Sequence, residues 1–229
     1  MNDVCVKDDV FYLSRYPIPL TPGEVESLLK QLDKNDQAAK KIILCLIEHR
    51  LEHRYIRPLL HIPTDYKSGF LMMAAACLLI ETLQTFYDGK NESKDDNEDK
   101  ADKVVGSEVA FIRFFLKNDA FFPNLRTFFP LSTVKERNGK QKQKCKFYKQ
   151  IRCGILHQAE TTGACRILRE GPLFSRDANS IKINADLFVK AVNDSLIKYI
   201  DLLRVEDCSS HLWKMARQKL GYVCKNCQR

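Results

Sequence analysis

Residues Gly69 to Tyr87 read GFLMMAAACLLIETLQTFY, apolar nearly all round through the first three turns of a helix. A helix with apolar side chains on every face is packed on several sides. The stretch therefore predicts the central helix of a bundle. Its longest apolar run, Phe70 to Ile80, ends at Glu81 after 11 residues, whereas a membrane span needs about 20. No membrane is expected as a partner.

Helical signals continue on both sides. Thr21-Pro22-Gly23-Glu24 is a start signal, with Thr21 as cap, Pro22 in the first turn and Glu24 three residues after the cap. That helix is expected to reach about Asp33. Asn35 or Asp36 can cap a second helix, with Ile42, Ile43, Leu46, Ile47 and Leu51 on one stripe. Arg57-Pro58 and Ile62-Pro63 are expected to end it. Further helices are predicted from Gly106 or Ser107 to Lys117, from Lys144 to about Ala159, and from Asn184 to about Arg204. A last one runs from Ser209 or Ser210 to Leu220, stopped by Gly221. Phe121-Phe122-Pro123 and Phe128-Phe129-Pro130 bracket an irregular link whose aromatics read as core. Ile167–Leu173 and Ser180–Ile183 read as two short strands around turn residues. The expectation is an all-α antiparallel helical bundle with one small β-hairpin insertion, in a single domain over residues 1–229. No glycine-rich phosphate loop appears, which argues against a P-loop or Rossmann enzyme.

Apolar residues make up 45% and charged residues 29%, which excludes a wholly disordered or collagen-like chain. Lys plus Arg is 37 and Asp plus Glu is 29, a net charge of +8. The excess is concentrated. Residues 88–103 carry seven acidic residues against four lysines and read as a mobile acidic loop. Residues 135–152 carry eight basic residues against Glu136. The basic segment 135–149 is compatible with a nucleic acid partner.

Nine cysteines are scattered along the chain, and an odd count cannot all pair. The acidic start, MNDVCVKDD, lacks the basic and apolar regions of a signal peptide. A soluble, cytoplasmic protein with free thiols is expected. Cys208-x2-His211 and Cys224-x2-Cys227 offer four zinc-type ligands. A helix from His211 to Leu220 would separate the pairs by about 14 Å, and three further residues span at most about 10 Å. Neither a metal nor another cofactor is expected.

The segment FYKQIRCGILHQAE, Phe147 to Glu160, carries the chemistry. Arg152 supplies a permanent forked cation suited to phosphate. His157 can move a proton near neutral pH. Together they suffice to cleave a phosphodiester without metal: one moves the ribose 2′-hydroxyl proton, the other neutralises charge developing on phosphate. Five residues apart on an α-helix, they lie about 140° out of phase. One site then needs a local bend or a second copy of the helix. Glu160, three residues after His157, would share its helical face and orient the imidazole. Lys142, Lys144, Lys146 and Lys149 would hold an RNA backbone electrostatically. Tyr148 reads as packing rather than as a base-stacking ring.

Arg152-x4-His157, late in a helical bundle, resembles the R-x4-6-H motif of the HEPN domain ribonucleases. The run Arg-Cys-Gly-Ile-Leu-His-Gln-Ala-Glu is similar to bacterial members. Many members carry a polar residue, commonly Asn, after the Arg; here it is Cys153. The resemblance implies an antiparallel helical bundle, a homodimer with facing motif helices, and a metal-independent endoribonuclease with a composite site, Arg152 and His157 being catalytic. It also implies a setting in phage defence or a toxin–antitoxin system, with a neutralising or regulatory protein partner. The alternative is a non-catalytic helical adaptor that binds a protein or nucleotide.

Overall fold

The computed structural model describes residues 6–7, 10–11, 13, 19–93, 104–135, 139 and 141–227. Val6–Lys7 (β1) and Val10–Phe11 (β2) pair antiparallel ahead of the first helix. Thr21 caps Pro22–Gln31 (α1) in a capping box. Glu24 N–H donates to Thr21 Oγ1 at 3.3 Å, and Thr21 N–H donates to Glu24 Oε2 at 2.7 Å. A short 3₁₀ turn, Leu32–Lys34, ends on Asn35 in the left-handed region at φ 56°. Asp36 Oδ1 then accepts from the Ala38 and Ala39 N–H groups and starts Gln37–Glu48 (α2).

From α2 the chain widens into a π-helical stretch, His49–Ile56, and tightens again into Arg57–Leu60 (α3). Pro58 does not stop it. It sits at the second position of α3, directly after the π-helical turns. Gly69–Asp88 (α4) packs most extensively against Ser107–Lys117 (α5), Ala185–Val205 (α8) and His211–Cys227 (α9). By length and composition α4 is apolar enough to cross a membrane, but 61% of that window is buried within the fold. Gly89, at φ 62°, closes α4 with Met215 and Gln218 packed against it. A side chain there would clash as well as strain the backbone.

Glu92–Ser93 (β3) pairs parallel with Val104–Val105 (β4). The acidic segment between them, residues 94–103, lies outside the described residues, and Asp88 belongs to α4, where it pairs with Arg113 at 3.1 Å. Beyond α5 comes a single turn, Leu125–Phe128 (α6). Phe122 and Phe129 are fully buried, and Phe121 and Phe128 pack against the core. All four therefore serve packing.

The structure is 65% helical, yet strands extend beyond one hairpin. Leu131–Lys135 (β5) and Gln141–Cys145 (β6) form an antiparallel hairpin inside the basic segment. The following helix therefore starts after Cys145 rather than at Lys144. It comprises a π-helical stretch, Tyr148–Cys153, and Gly154–Gln158 (α7). The second strand region is not a simple hairpin either. Cys165–Leu168 (β7), Phe174–Arg176 (β8) and Ile181–Asn184 (β9) form a mixed sheet in the order β7-β9-β8. Asn184 Oδ1 caps α8 by accepting from Leu187 N–H at 3.1 Å. Gly221 does not end the last helix; α9 runs through it to Cys227. Glycine permits a left-handed stop but does not impose one.

The buried side chains form one continuous cluster. Its aromatic centre fixes the start of the motif helix: Phe147 stacks on Phe188 at 5.2 Å and meets Phe115 and Phe129 edge-on. Such pairs are worth about 0.5–1.5 kcal/mol beyond area burial.

Candidate functional site

The helix that carries Arg152 and His157 is not uniformly α. Its turns over Tyr148–Cys153 are π-helical, and the segment after it folds back onto them. Ala159, at φ 53°, ends α7 in the left-handed region, and the chain folds back along the helix. Thr162 N–H then donates to Gln150 O at 3.0 Å, and Glu160 N–H approaches Gly154 O at 3.4 Å. A carbonyl that accepts from an outside donor within a helix accompanies a local departure from the i→i−4 ladder. Gly154 is required by the close approach: a Cβ there would lie 2.5 Å from Glu160 O.

The widening changes the phase of the two motif residues. Within one chain, Arg152 Nη1 lies 3.5 Å from His157 Nε2. The local departure from α geometry supplies the bend that the 140° α-helical offset demands, and convergence of this pair needs no second copy. At 3.5 Å the contact is too long to be a strong hydrogen bond. Each group keeps its capacity for another ligand.

Glu81 of α4 orients the arginine. Arg152 Nε donates to Glu81 Oε1 at 2.7 Å, and the two side chains are only 17% and 13% exposed. Burial opposes the guanidinium charge, but the hydrogen bond and charge of Glu81 outweigh it, and the arginine pKa stays above its ordinary value. The guanidinium also sits over the Tyr148 ring, 5.4 Å from its centroid. Tyr148 itself is buried edge-on against Phe111. His157 is exposed in the last turn of α7. One face of the pair is thus fixed from below by α4 and the other is open to solvent.

Other predicted residues go elsewhere. Glu160 Oε1 accepts from Thr161 N–H at 2.8 Å. Because α7 ends at Ala159, Glu160 does not share a helical face with His157. Cys153 is a half-buried free thiol. Lys144 is held by Glu108 of α5, with Nζ donating to Oε2 at 3.0 Å. Glu108 Oε1 also accepts from Cys145 N–H at 2.8 Å, so this carboxylate staples the base of the β5–β6 hairpin. Lys142 is half-buried on β6, while Lys146 and Lys149 are exposed between the hairpin and Arg152.

The terminal cysteines do not converge with Cys208. Cys208 precedes α9, whereas Cys224 and Cys227 lie in its last turns. Among the described residues no group of three or more His, Cys, Asp or Glu side chains is placed to hold a metal. Burial pushes the thiols of Cys145, Cys165 and Cys224 up to about 11. These thiols are therefore poor nucleophiles.

Glu81 and the π-helical turns escape the motif reading. Glu81 did leave a signal: it is the first charge in an otherwise apolar central helix. A carboxylate in that position demands a cation from elsewhere in the chain. Compared with known protein families, with characterised proteins and with solved structures, the chain has no match.

Proposed function

We propose that this protein is a metal-independent endoribonuclease of the HEPN type, acting in the cytoplasm, in phage defence or as the toxin of a toxin–antitoxin system with a neutralising protein partner. The observation that carries the reading is the convergence of Arg152 and His157 at 3.5 Å, with the arginine oriented by Glu81 and the histidine open to solvent. In the reaction, His157 takes the proton of a ribose 2′-hydroxyl as that oxygen attacks the adjacent phosphorus. Arg152 faces the charge that develops on the phosphate oxygens. The P–O5′ bond breaks, the leaving 5′-oxygen takes a proton from solvent water, and the imidazolium of His157 returns its proton to solvent. The products are a 2′,3′-cyclic phosphate and a 5′-hydroxyl.

The reading includes a homodimer. Leu71 and Leu78 on α4 are 60% and 46% exposed, and Leu156 on α7, beside His157, is 48% exposed. Leu78 lies one turn before Glu81 on α4. Pairing this apolar face with a second copy brings two Arg–His pairs to one interface and makes the site composite. Sedimentation of the parent and of Leu78→Glu tests it: a dimer that the substitution dissociates supports the interface, and a monomeric parent at micromolar concentration contradicts it.

One observation favours a second reading, a helical adaptor that binds a protein or nucleotide. Arg152 is half-buried and already ion-paired within its own chain. Assaying RNA cleavage by the parent and by His157→Ala separates the two. Loss of cleavage in the variant supports the nuclease, and absence of cleavage by the parent supports the adaptor.

A further inference from the structure

β5 is exposed along both faces, whereas β6 alternates exposed Gln141 and Gln143 with half-buried Lys142 and Lys144. A strand packed on a body alternates buried and exposed residues. In β5 the four consecutive residues Ser132, Thr133, Val134 and Lys135 are all exposed, and in β6 only Cys145 is fully buried. The Glu108 staple and Cys145 hold the base to α5, and the strands beyond it form an arm exposed along β5. Five residues per strand give the arm a length of about 13 Å beyond its base, at 3.2–3.4 Å per residue.

The charge on this arm continues to the candidate site. Lys135 is exposed on the hairpin, and Lys146 and Lys149 are exposed in the helical turns that lead to Arg152; Lys142 is half-buried and already engaged. No exposed aromatic side chain accompanies them among the described residues. Tyr148 and Phe147 are buried, and the exposed tyrosines, Tyr55 and Tyr66, lie outside this segment. Sequence-specific RNA recognition stacks splayed bases on aromatic rings and reads their edges. A lysine track without rings offers charge alone, and charge positions a phosphate backbone without reading it.

We infer that the β5–β6 arm and the exposed turn after it form a phosphate track that delivers single-stranded RNA to Arg152 and His157 without base selection. The inference rests on the nuclease reading for its destination, but the grip is independent of cleavage. Lys144 is outside the track, because Glu108 already neutralises it.

Binding of the His157→Ala protein to labelled homopolymer RNAs of equal length, over a series of salt concentrations, tests the track. Similar affinities for poly(A), poly(U) and poly(C) are expected, with a steep fall as salt rises. Adding Lys135→Gln, Lys146→Gln and Lys149→Gln removes three contacts. The slope of log K against log salt should then drop by about 2, at roughly 0.7 per single-strand contact. An unchanged slope in that variant, or a strong preference for one homopolymer, overturns the inference. So does binding to anionic vesicles or an acidic peptide in place of RNA. If the His157→Ala protein cleaves RNA like the parent, the nuclease mechanism fails while the binding result still decides the track.

Discussion

Arg169 and Arg152 are both arginines set against a carboxylate, and the molecule uses them differently. Every guanidinium nitrogen of Arg169 is engaged. Nε and Nη2 donate to the two Asp186 oxygens at 2.9 and 2.7 Å. Nη2 also reaches Ile62 O at 2.9 Å, and Nη1 reaches Ser68 Oγ at 3.1 Å and Tyr66 O at 3.3 Å, with Pro63 O closer still. Arg169 thereby ties the 62–68 loop to the start of α8. Arg152 has one strong bond, to Glu81, and its other edge faces His157. A fully satisfied arginine in a loop clamp has no capacity left for a ligand. One that is anchored by Nε alone is oriented and still able to bind. The residue type is the same; the number of acceptors around it separates structure from chemistry.

The largest effect should fall on the Arg152 side. His157→Ala should lower RNA cleavage by about 10²–10⁴, the usual worth of a positioned acid–base group, with unchanged circular dichroism. Arg152→Ala is a less clean probe, because it leaves Glu81 charged and mostly buried. Removing one partner of a buried pair costs about 3–5 kcal/mol. Arg152→Lys keeps the charge and loses the fork, and should retain the fold while losing most of the rate. Full activity in both His157→Ala and Arg152→Lys would erase the distinction between the two arginines.

Arg169→Ala should act on stability alone. It strands Asp186, so a loss of about 3–5 kcal/mol is expected in denaturant unfolding. At temperatures where the variant remains folded, the cleavage rate per folded molecule should match the parent. A selective fall in that rate would place Arg169 in the chemistry.

Gly154→Ala sharpens the comparison from the backbone. Its Cβ would meet the Glu160 carbonyl at 2.5 Å, so the returning segment must move. Overpacking of this kind costs about 1–3 kcal/mol. If the returning segment sustains the π-helical turns, the shift should also part Arg152 from His157. A combined fall in melting temperature and activity is expected. A variant with parental activity would show that the pair does not depend on that approach.

Much of this was legible in the chain. Thr21, Asp36 and Asn184 act as caps because short oxygen-bearing side chains satisfy the first helical N–H groups locally. The central place of α4 follows from its all-round apolar character. The β5–β6 hairpin was not legible, because β6 is built of alternating glutamines and lysines and leaves no period-2 apolar pattern. Nor was the pairing of Glu81 with Arg152, which joins residues 71 apart in sequence. The π-helical turns around Arg152 leave no mark in the local sequence pattern, so an α-helical wheel misplaces His157. Gly221 shows the opposite error, since the helix continues through a residue that usually ends one.

In the proposed reaction one anchored arginine and one exposed histidine cleave RNA without a metal. The most direct measurement is cleavage of a labelled RNA by the purified protein in excess EDTA, with the product ends identified, beside His157→Ala under the same conditions. Products ending in 2′,3′-cyclic phosphate are expected from the parent, with a loss of cleavage in the variant. An absolute requirement for a divalent ion, or equal cleavage by His157→Ala, would contradict that reaction.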